Sequence, residues 1–219
     1  MSHWSEISGE RVVAGSLWIP KCGAWVADVS TALPSALFGS VTLTVGDLSL
    51  VGTIVRQGAY AGSRTFRVVG GAGRWATALP ARSYTLASGL PLATVLGDLA
   101  AECGETLGLV AGGYLGTSFV RLAGPANRTL LNLAPDWWVD SLGITQTTPR
   151  AASIVKRPFM ATNRIGAAGV VQVATESPGE WLPGAAFQSP LLSDSVLTAL
   201  AVRHTWLGDG VARIEAVIA

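Results

Sequence analysis

Two histidines, two cysteines and a scatter of carboxylates are the groups of this chain with most scope for chemistry. A general base or a zinc ligand would have to be His3 or His204. No H-E-x-x-H, no histidine pair at helical spacing and no C-x-x-C sets a second ligand beside either. His3 lies in a terminus, commonly a loose part of a domain, and His204 in an expected strand among ordinary cross-strand neighbours. A Ser/His/Asp triad needs no closeness in sequence, but no G-x-S-x-G elbow is present to place its serine. Paired carboxylates can hydrolyse a glycosidic bond. Glu102 and Glu105 fall on the polar face of an expected helix, where a solvated role is the commoner one. Glu176 and Glu180 flank the turn Ser177-Pro178-Gly179. Gly70-Gly71-Ala72-Gly73-Arg74 follows an expected strand and has the composition of an anion-binding nest. It lacks the Lys-Ser/Thr ending of a phosphate loop and no long helix starts there, so a tight turn is the expectation. Cys22 and Cys103 are too few for a disulfide framework, and Cys103 reads as a buried small hydrophobe. The sequence therefore puts forward no catalytic, cofactor-binding or metal-ligating residue and no cofactor.

The elements that would hold such groups are clearer than the groups themselves. Within Gly89 to Gly108, Leu92, Val95, Leu96, Leu99, Ala100 and Cys103 recur at helical spacing on one face. Pro91 suits a first helical turn, and Gly104 or Gly108 can end the helix in a left-handed cap. Around this helix most of the chain alternates as strands do. Val13, Leu17 and Ile19 are expected on one face, then Trp25, Ala27 and Val29 on one face after Pro20 to Gly23. Residues 30 to 39 read as a loop. Val41, Leu43 and Val45, then Leu48, Leu50, Gly52 and Ile54, flank Gly46-Asp47, the signal of a type II′ hairpin. Arg64 to Val69 forms a further strand, so the first part holds five or six short strands, as a small barrel or sandwich would.

Beyond the helix, Ser118 to Leu122 reads as a strand and Ala126 to Leu133 as a short helix with Asn127 placed to cap it. Trp137-Trp138-Val139 and Ile144 to Thr147 flank Asp140 to Gly143 as a second hairpin. Pro149 to Pro158 is a connector carrying Arg150, Lys156 and Arg157, and Val170 to Ala174 a strand. A last hairpin joins Thr198–Trp206 to Val211–Ile218 through Leu207 to Gly210. Leu200, Val202, His204 and Trp206 would share one face, and Ala212, Ile214, Ala216 and Ile218 another. A two- or four-residue loop sets His204 opposite Glu215 or Arg213; a three-residue loop reverses the faces. The expected fold is mainly β with short helices (α+β). Residues 1–88 make a first β-barrel unit, 89–148 a helical and hairpin linker region, and 149–219 a second β unit packing with the first.

Composition narrows the class. Only 13% of the 219 residues are charged, with net charge +1 and eight tryptophans. A basic stripe for nucleic acid is missing. No apolar run nears the ~20 residues of a membrane span, and the N-terminus lacks the pattern of a signal peptide, which fits synthesis in the cytoplasm. So weakly charged a surface has little to keep copies apart, and aromatics gather where proteins meet. The chain is expected to bury much of its surface against other chains.

The order of these features resembles the hub proteins of phage tails and baseplates, the late-control D family and its relatives in other injection machines. Arg82-Ser83-Tyr84 followed by Leu92 to Gly104 is similar to the family's first barrel exit and its leucine-rich helix ending in glycine. Arg128 to Leu133 followed by Trp138-Val139-Asp140-Ser141-Leu142-Gly143-Ile144 is similar to its second helix and D-x-x-G hairpin. Trp181-Leu182-Pro183-Gly184 and then Val202-Arg203-His204 are similar to the segment that ends the second barrel. The chain is shorter than the usual hub, so the parts between barrels must be reduced. The resemblance implies a homotrimer whose paired barrels form a pseudo-six-fold ring joining a tail tube to a tip. Its partners would be the tail tube or distal tail ring, a spike or fibre, and the tape measure, with DNA only in transit through the lumen. It carries no catalytic residues over and implies a virion location, after synthesis in the host cytoplasm. Two other classes remain: a β-rich receptor- or glycan-binding module at a tail tip, and a hydrolase using His204.

Overall fold

The computed structural model describes residues 4–32, 36–60, 62–165, 169–189, 191, 193–208 and 210–218. His3, residues 33–35 of the expected loop and Asp209 of the last turn lie outside the described residues. Strands β1 (Ser5–Ile7), β2 (Glu10–Ile19), β3 (Val26–Thr31), β4 (Ser40–Val45), β5 (Leu48–Tyr60) and β6 (Ser63–Gly70) come first. They pair antiparallel in the order β1-β4-β5-β6-β3-β2, and β2 returns to β1, so the six close into a barrel. Closure leaves no unpaired edge at the join, the usual remedy for exposed edges. The two-residue loop Gly46-Asp47 joins Val45 to Leu48, with Gly46 at φ +57° as its turn type requires. Val41, Leu43, Val45, Leu48 and Leu50 point into the barrel as their alternation predicts.

The middle of the chain holds β7 (Ala78–Leu79), β8 (Arg82–Thr85), α1 (Leu92–Cys103), β9 (Ser118–Arg121), β10 (Gly124–Pro125), α2 (Ala126–Leu133), β11 (Trp138–Val139) and β12 (Thr145–Gln146). The expected helix is present, and Val95, Leu96, Leu99, Ala100 and Cys103 form its buried face. Gly104 is its left-handed cap at φ +76°, with its N–H directed to the carbonyls of Ala100 and Ala101. Pro91 stands at the N-cap, one place earlier than expected. α2 is also where its pattern puts it, but Asn127 does not cap it. The Ala126 and Asn127 N–H groups donate instead to the carbonyls of Thr77 and Trp75. A neighbouring backbone satisfies the helix end that a side chain was expected to satisfy. Leu96, Leu99, Ala100 and Leu130 join the barrel residues in one apolar cluster.

The chain ends with β13 (Ser153–Ile154), β14 (Met160–Ile165), β15 (Val170–Thr175), β16 (Ala185–Ser189), β17 (Ser193–Leu207) and β18 (Ala212–Ile218). These run in the order β13-β16-β17-β18-β15-β14 and bury their own cluster around Trp181, Phe187, Val202 and Ile214. Six pairs, Val202 with Ile19 through Leu207 with Ala14, join β17 to β2 and make the whole one continuous sheet. Trp4 packs against both clusters. Gly15 faces Trp206 across this seam, and a Cβ at Gly15 would overlap the indole.

Two face assignments differ from expectation for the same reason. The β2–β3 register shifts between Val12 and Ala14, so Val12, not Val13, is buried with Leu17 and Ile19. The β17–β18 register shifts between Ala199 and Ala201, so Ala199, not Leu200, is buried with Val202, His204 and Trp206. An extra residue in one strand reverses every side chain on one side of it. His204 stands opposite Ile214, with Arg203 opposite Glu215. This is the register of the three-residue loop, not the pairing with Glu215 or Arg213.

Candidate functional site

The residues that carried the resemblance serve as fastenings. On the ribbon of β8 and β9, Arg82 and Arg121 stand directly opposite each other. Two like charges in that position repel, and Glu102 of α1 lies between them. Its carboxylate takes Arg82 and Arg121 at 2.5 Å each. Arg82 also reaches Asp98 at 2.8 Å, and the Arg121 side chain is only 1% exposed. The Arg121 hydrogen bond, with that of Arg82, holds the Glu102 carboxyl below the usual range despite some desolvation. Glu102 is exposed, as its place on the polar face suggested, but it is committed to two ion pairs rather than to solvent alone. It fixes the ribbon to α1, with Tyr84 packed beside Leu90 and Val95 beneath.

Glu105 departs further from expectation. It follows the Gly104 cap and is buried. Its oxygens accept the N–H of Ala72 at 3.0 Å and the N–H of Arg74 at 2.5 Å. The glycine-rich segment Gly70 to Arg74 is a tight turn and also an anion nest, and the anion is the protein's own carboxylate. Burial raises the Glu105 pKa, and the backbone donors oppose that rise. Nothing in the local sequence of either segment marks the pairing, because the partners are more than thirty residues apart.

The Asp140 hairpin forms as expected. Asp140 Oδ1 accepts the N–H groups of Leu142 and Ile144 at 2.9 Å each, and Oδ2 accepts Gln146 Nε2 at 2.7 Å. Aspartate favours such turns because its side chain replaces a backbone acceptor. Ser141 O accepts Val51 N–H, which ties the hairpin to the barrel. A second tie was not anticipated. Asp47, in the barrel's Gly46-Asp47 turn, accepts Gly179 N–H at 2.7 Å and Arg157 Nη1 at 2.9 Å. Glu180 Oε2 accepts the N–H groups of Lys156 and Arg157, and these bonds, Arg157 first, lower its pKa. Glu176 and Glu180 are thus no carboxylate pair for hydrolysis; Glu180 anchors the connector.

His204 cannot meet a substrate in this arrangement, for it is fully buried. Nε2 lies 3.0 Å from Trp181 O, which can only accept, so Nε2 carries the proton of a neutral imidazole. Burial pushes its pKa down to about 4. The residues of both late motifs, Trp181 and His204, therefore meet inside the C-terminal core. Cys103 is buried and Cys22 half-buried, both as free thiols. Among the described residues no group of three or more His, Cys, Asp or Glu side chains could hold a metal ion. Among the same described residues no helix is long and apolar enough to cross a membrane. What the surface offers instead is apolar. Leu109 is 90% exposed, and Phe38, Tyr114, Leu122, Ile154 and Met160 are each more than half exposed.

A closed six-stranded barrel, a helical insertion and a second strand group joined through β2 make a fold that solved tail proteins share. The tail protein of Neisseria meningitidis matches with a TM-score of 0.62 over 98% of this chain and 95% of its own, at 13% identity. The 43 kDa tail protein of prophage MuSo2 from Shewanella oneidensis gives 0.64 over 97% and 95%, at 10% identity. An Escherichia coli component of the type VI secretion system, described as structurally similar to the T4 bacteriophage tail proteins gp27 and gp5, gives 0.66 over 99% and 77%, at 10% identity. These structural neighbours agree with the resemblance read from the sequence. No protein-family model matches the chain, and no curated protein does.

Proposed function

We propose that this chain is a structural hub subunit of a phage or phage-like tail, and that it assembles as a homotrimeric ring between the tail tube and the tip. The observation that carries this reading is the β2–β17 seam. It fuses a barrel and a second six-stranded group into one continuous sheet. Three copies of such a body would present six β units around one axis, a match for a six-fold tube above and a three-fold tip below. On this reading residues 1–88 and 149–219 are the two ring units and 89–148 is the link between them. Its partners are copies of itself, the tail tube or distal tail ring, a spike or fibre, and the tape measure; DNA meets it only in transit through the lumen. Its place is the virion tail, after synthesis in the host cytoplasm.

Binding rather than bond-making fits the buried histidine, the internally satisfied carboxylates and the exposed apolar side chains, since lasting interfaces are large and apolar. A ring subunit contacts its neighbours head to tail through two different surfaces. Native mass spectrometry and negative-stain images of the protein, alone and with its tube protein, test the reading. Three copies in a closed ring are expected. Six copies in one ring, or a monomer that no tail partner captures, would remove it.

A further inference from the structure

The continuous sheet has two free edges that meet one row of its register. Pair by pair, that row runs from Arg56 of β5 through Asp28, Ser16 and Thr205 to Met160 of β14. β14 pairs with β15 alone among the described residues. Over its second half β5 is an edge as well. Its pairing with β4 ends where Thr53 meets Ser40, and the Ile54 N–H goes to Gly39 O. After the register shift between Ile54 and Arg56, the segment from Arg56 to Tyr60 pairs only with β6. Among the described residues no further strand lies on the outer side of either segment. Such an edge is a template for another strand. Each segment carries one arginine and neither a lysine nor a proline, and the exposed side chains of Val55, Met160 and Ile165 stand at their ends.

The order of strands sets how these edges can meet. It is β5-β6-β3-β2-β17-β18-β15-β14, and every pairing is antiparallel. Eight strands are an even number, so β5 and β14 point opposite ways. Rotating one copy about an axis along the strands therefore brings its β14 antiparallel to β5 of the next, the more stable kind of pair. The two faces of these strands also differ. Leu17, His204, Ile214 and Val173 form a row that is buried under the two apolar clusters. Asp28, Ser16, Thr205 and Arg213 form the next row on the opposite face, half-buried or exposed. Both clusters thus lie on one side of the sheet, and copies joined edge to edge curve toward the polar side.

We infer that β14 of one copy pairs with the projecting half of β5, Arg56 to Tyr60, in the next copy. The inference rests on the ring reading and deepens it, for it assigns the two surfaces of the head-to-tail contact. From their shared row the free segments run opposite ways along the strands. Neighbouring copies are therefore staggered, as closing any sheet of tilted strands demands.

The test is disulfide trapping in the full chain with Cys22→Ser. Gly58→Cys is accommodated, since a Cβ there meets nothing nearer than Thr65 Oγ1 at 3.5 Å. It is combined in turn with Thr162→Cys, Asn163→Cys and Ile165→Cys, because a disulfide needs Cα atoms within about 7 Å. Mild oxidation of the assembled protein is expected to link at least one combination into covalent trimers and to link no single variant. A β14 variant that links to itself means two-fold pairing of β14 and overturns the inference. Hydrogen exchange of the unaltered protein asks the same question without substitutions. Assembly should slow the amides of both segments at least ~10-fold; slowing at neither, or at only one, overturns the pairing. A trimer that shows neither linkage nor slowing removes this contact and leaves the ring standing. A chain that forms no trimer removes both.

Discussion

The two strand groups use one device and reach different ends. In the N-terminal barrel, β2 gives residues 10 and 11 to β1 and so closes the ring of six. From Ala14 onward the same strand pairs with β17 instead. In the C-terminal group, β17 pairs with β16 up to Thr198 and with β2 from Val202. Each long strand has its register shift at the place where it changes partners, between Val12 and Ala14 in one and between Ala199 and Ala201 in the other. A bulge bends a strand and increases its twist, so it turns each strand out of its own group into the seam. The barrel is closed before its strand leaves. Among the described residues the C-terminal group has no such closure, and β14 pairs with β15 alone. The barrel is therefore the self-sufficient part, while the C-terminal group depends on the seam.

The sharpest way to break this comparison is at Gly15. A side chain there collides with Trp206, a rigid indole of the C-terminal group that is buried in the barrel's apolar cluster. Gly15→Leu is expected to cost about 3 kcal/mol, the upper end of ordinary overpacking. The loss should fall on the C-terminal strands first. Urea melts followed by hydrogen exchange would show β15 and β18 exchanging before β4 and β5. Trp206→Ala in the same chain should return part of the loss, because the two residues are in contact and their effects do not add. If Gly15→Leu leaves the seam amides as protected as before, the dependence drawn here is wrong.

The second difference is electrostatic. The barrel's junction with α1 buries a carboxylate, Glu105, held by backbone donors, whereas the seam buries a base. His204 stays neutral in the folded chain down to about pH 4, against an ordinary value of 6.5. Between those values the unfolded chain binds the extra proton. Stability therefore rises with pH across that window and is lost on acidification through it. The difference amounts to about 3 kcal/mol by pH 4, as an order of magnitude. Thermal melts from pH 7 to 4 should show a steep fall in Tm, and His204→Leu should flatten it while lowering Tm at pH 7 through the unpaired Trp181 carbonyl. A slope unchanged in His204→Leu would place the acid sensitivity elsewhere.

These features were unequally legible in the sequence. Helix α1 could be read because its apolar spacing and its terminal glycine are local signals. The two central hairpins could be read because Gly46-Asp47 and Asp140 to Gly143 carry their own turn chemistry. The bulges could not. At Val13 and at Leu200 strict alternation gave the wrong face, since an extra residue leaves no mark in composition. Strand β14 leaves no such mark either. β14 is almost wholly exposed, so no buried alternation reports it. The internal ligand of the glycine nest was hidden by distance. Gly70 to Arg74 and Glu105 are each unremarkable alone, and only the packing of α1 against the barrel brings them together.

The smallest effect separates this wiring from surface decoration. Arg157 joins the barrel's Asp47 to the C-terminal strands, but it is 59% exposed. Exposed ion pairs contribute roughly 0.2–1 kcal/mol, so Arg157→Ala should cost less than about 1 kcal/mol, and the loss should shrink further in 1 M salt, where such charges are screened. Asp47→Ala should cost more than Arg157→Ala, because it also strips the acceptor from Gly179 N–H, and salt should leave that part untouched. Urea midpoints of the two variants at low and high salt measure both contributions. Equal losses for the two variants would mean that the Gly179 bond contributes nothing. Of the two ties at Asp47, only the Arg157 pair would then help the seam hold the C-terminal strands to the barrel.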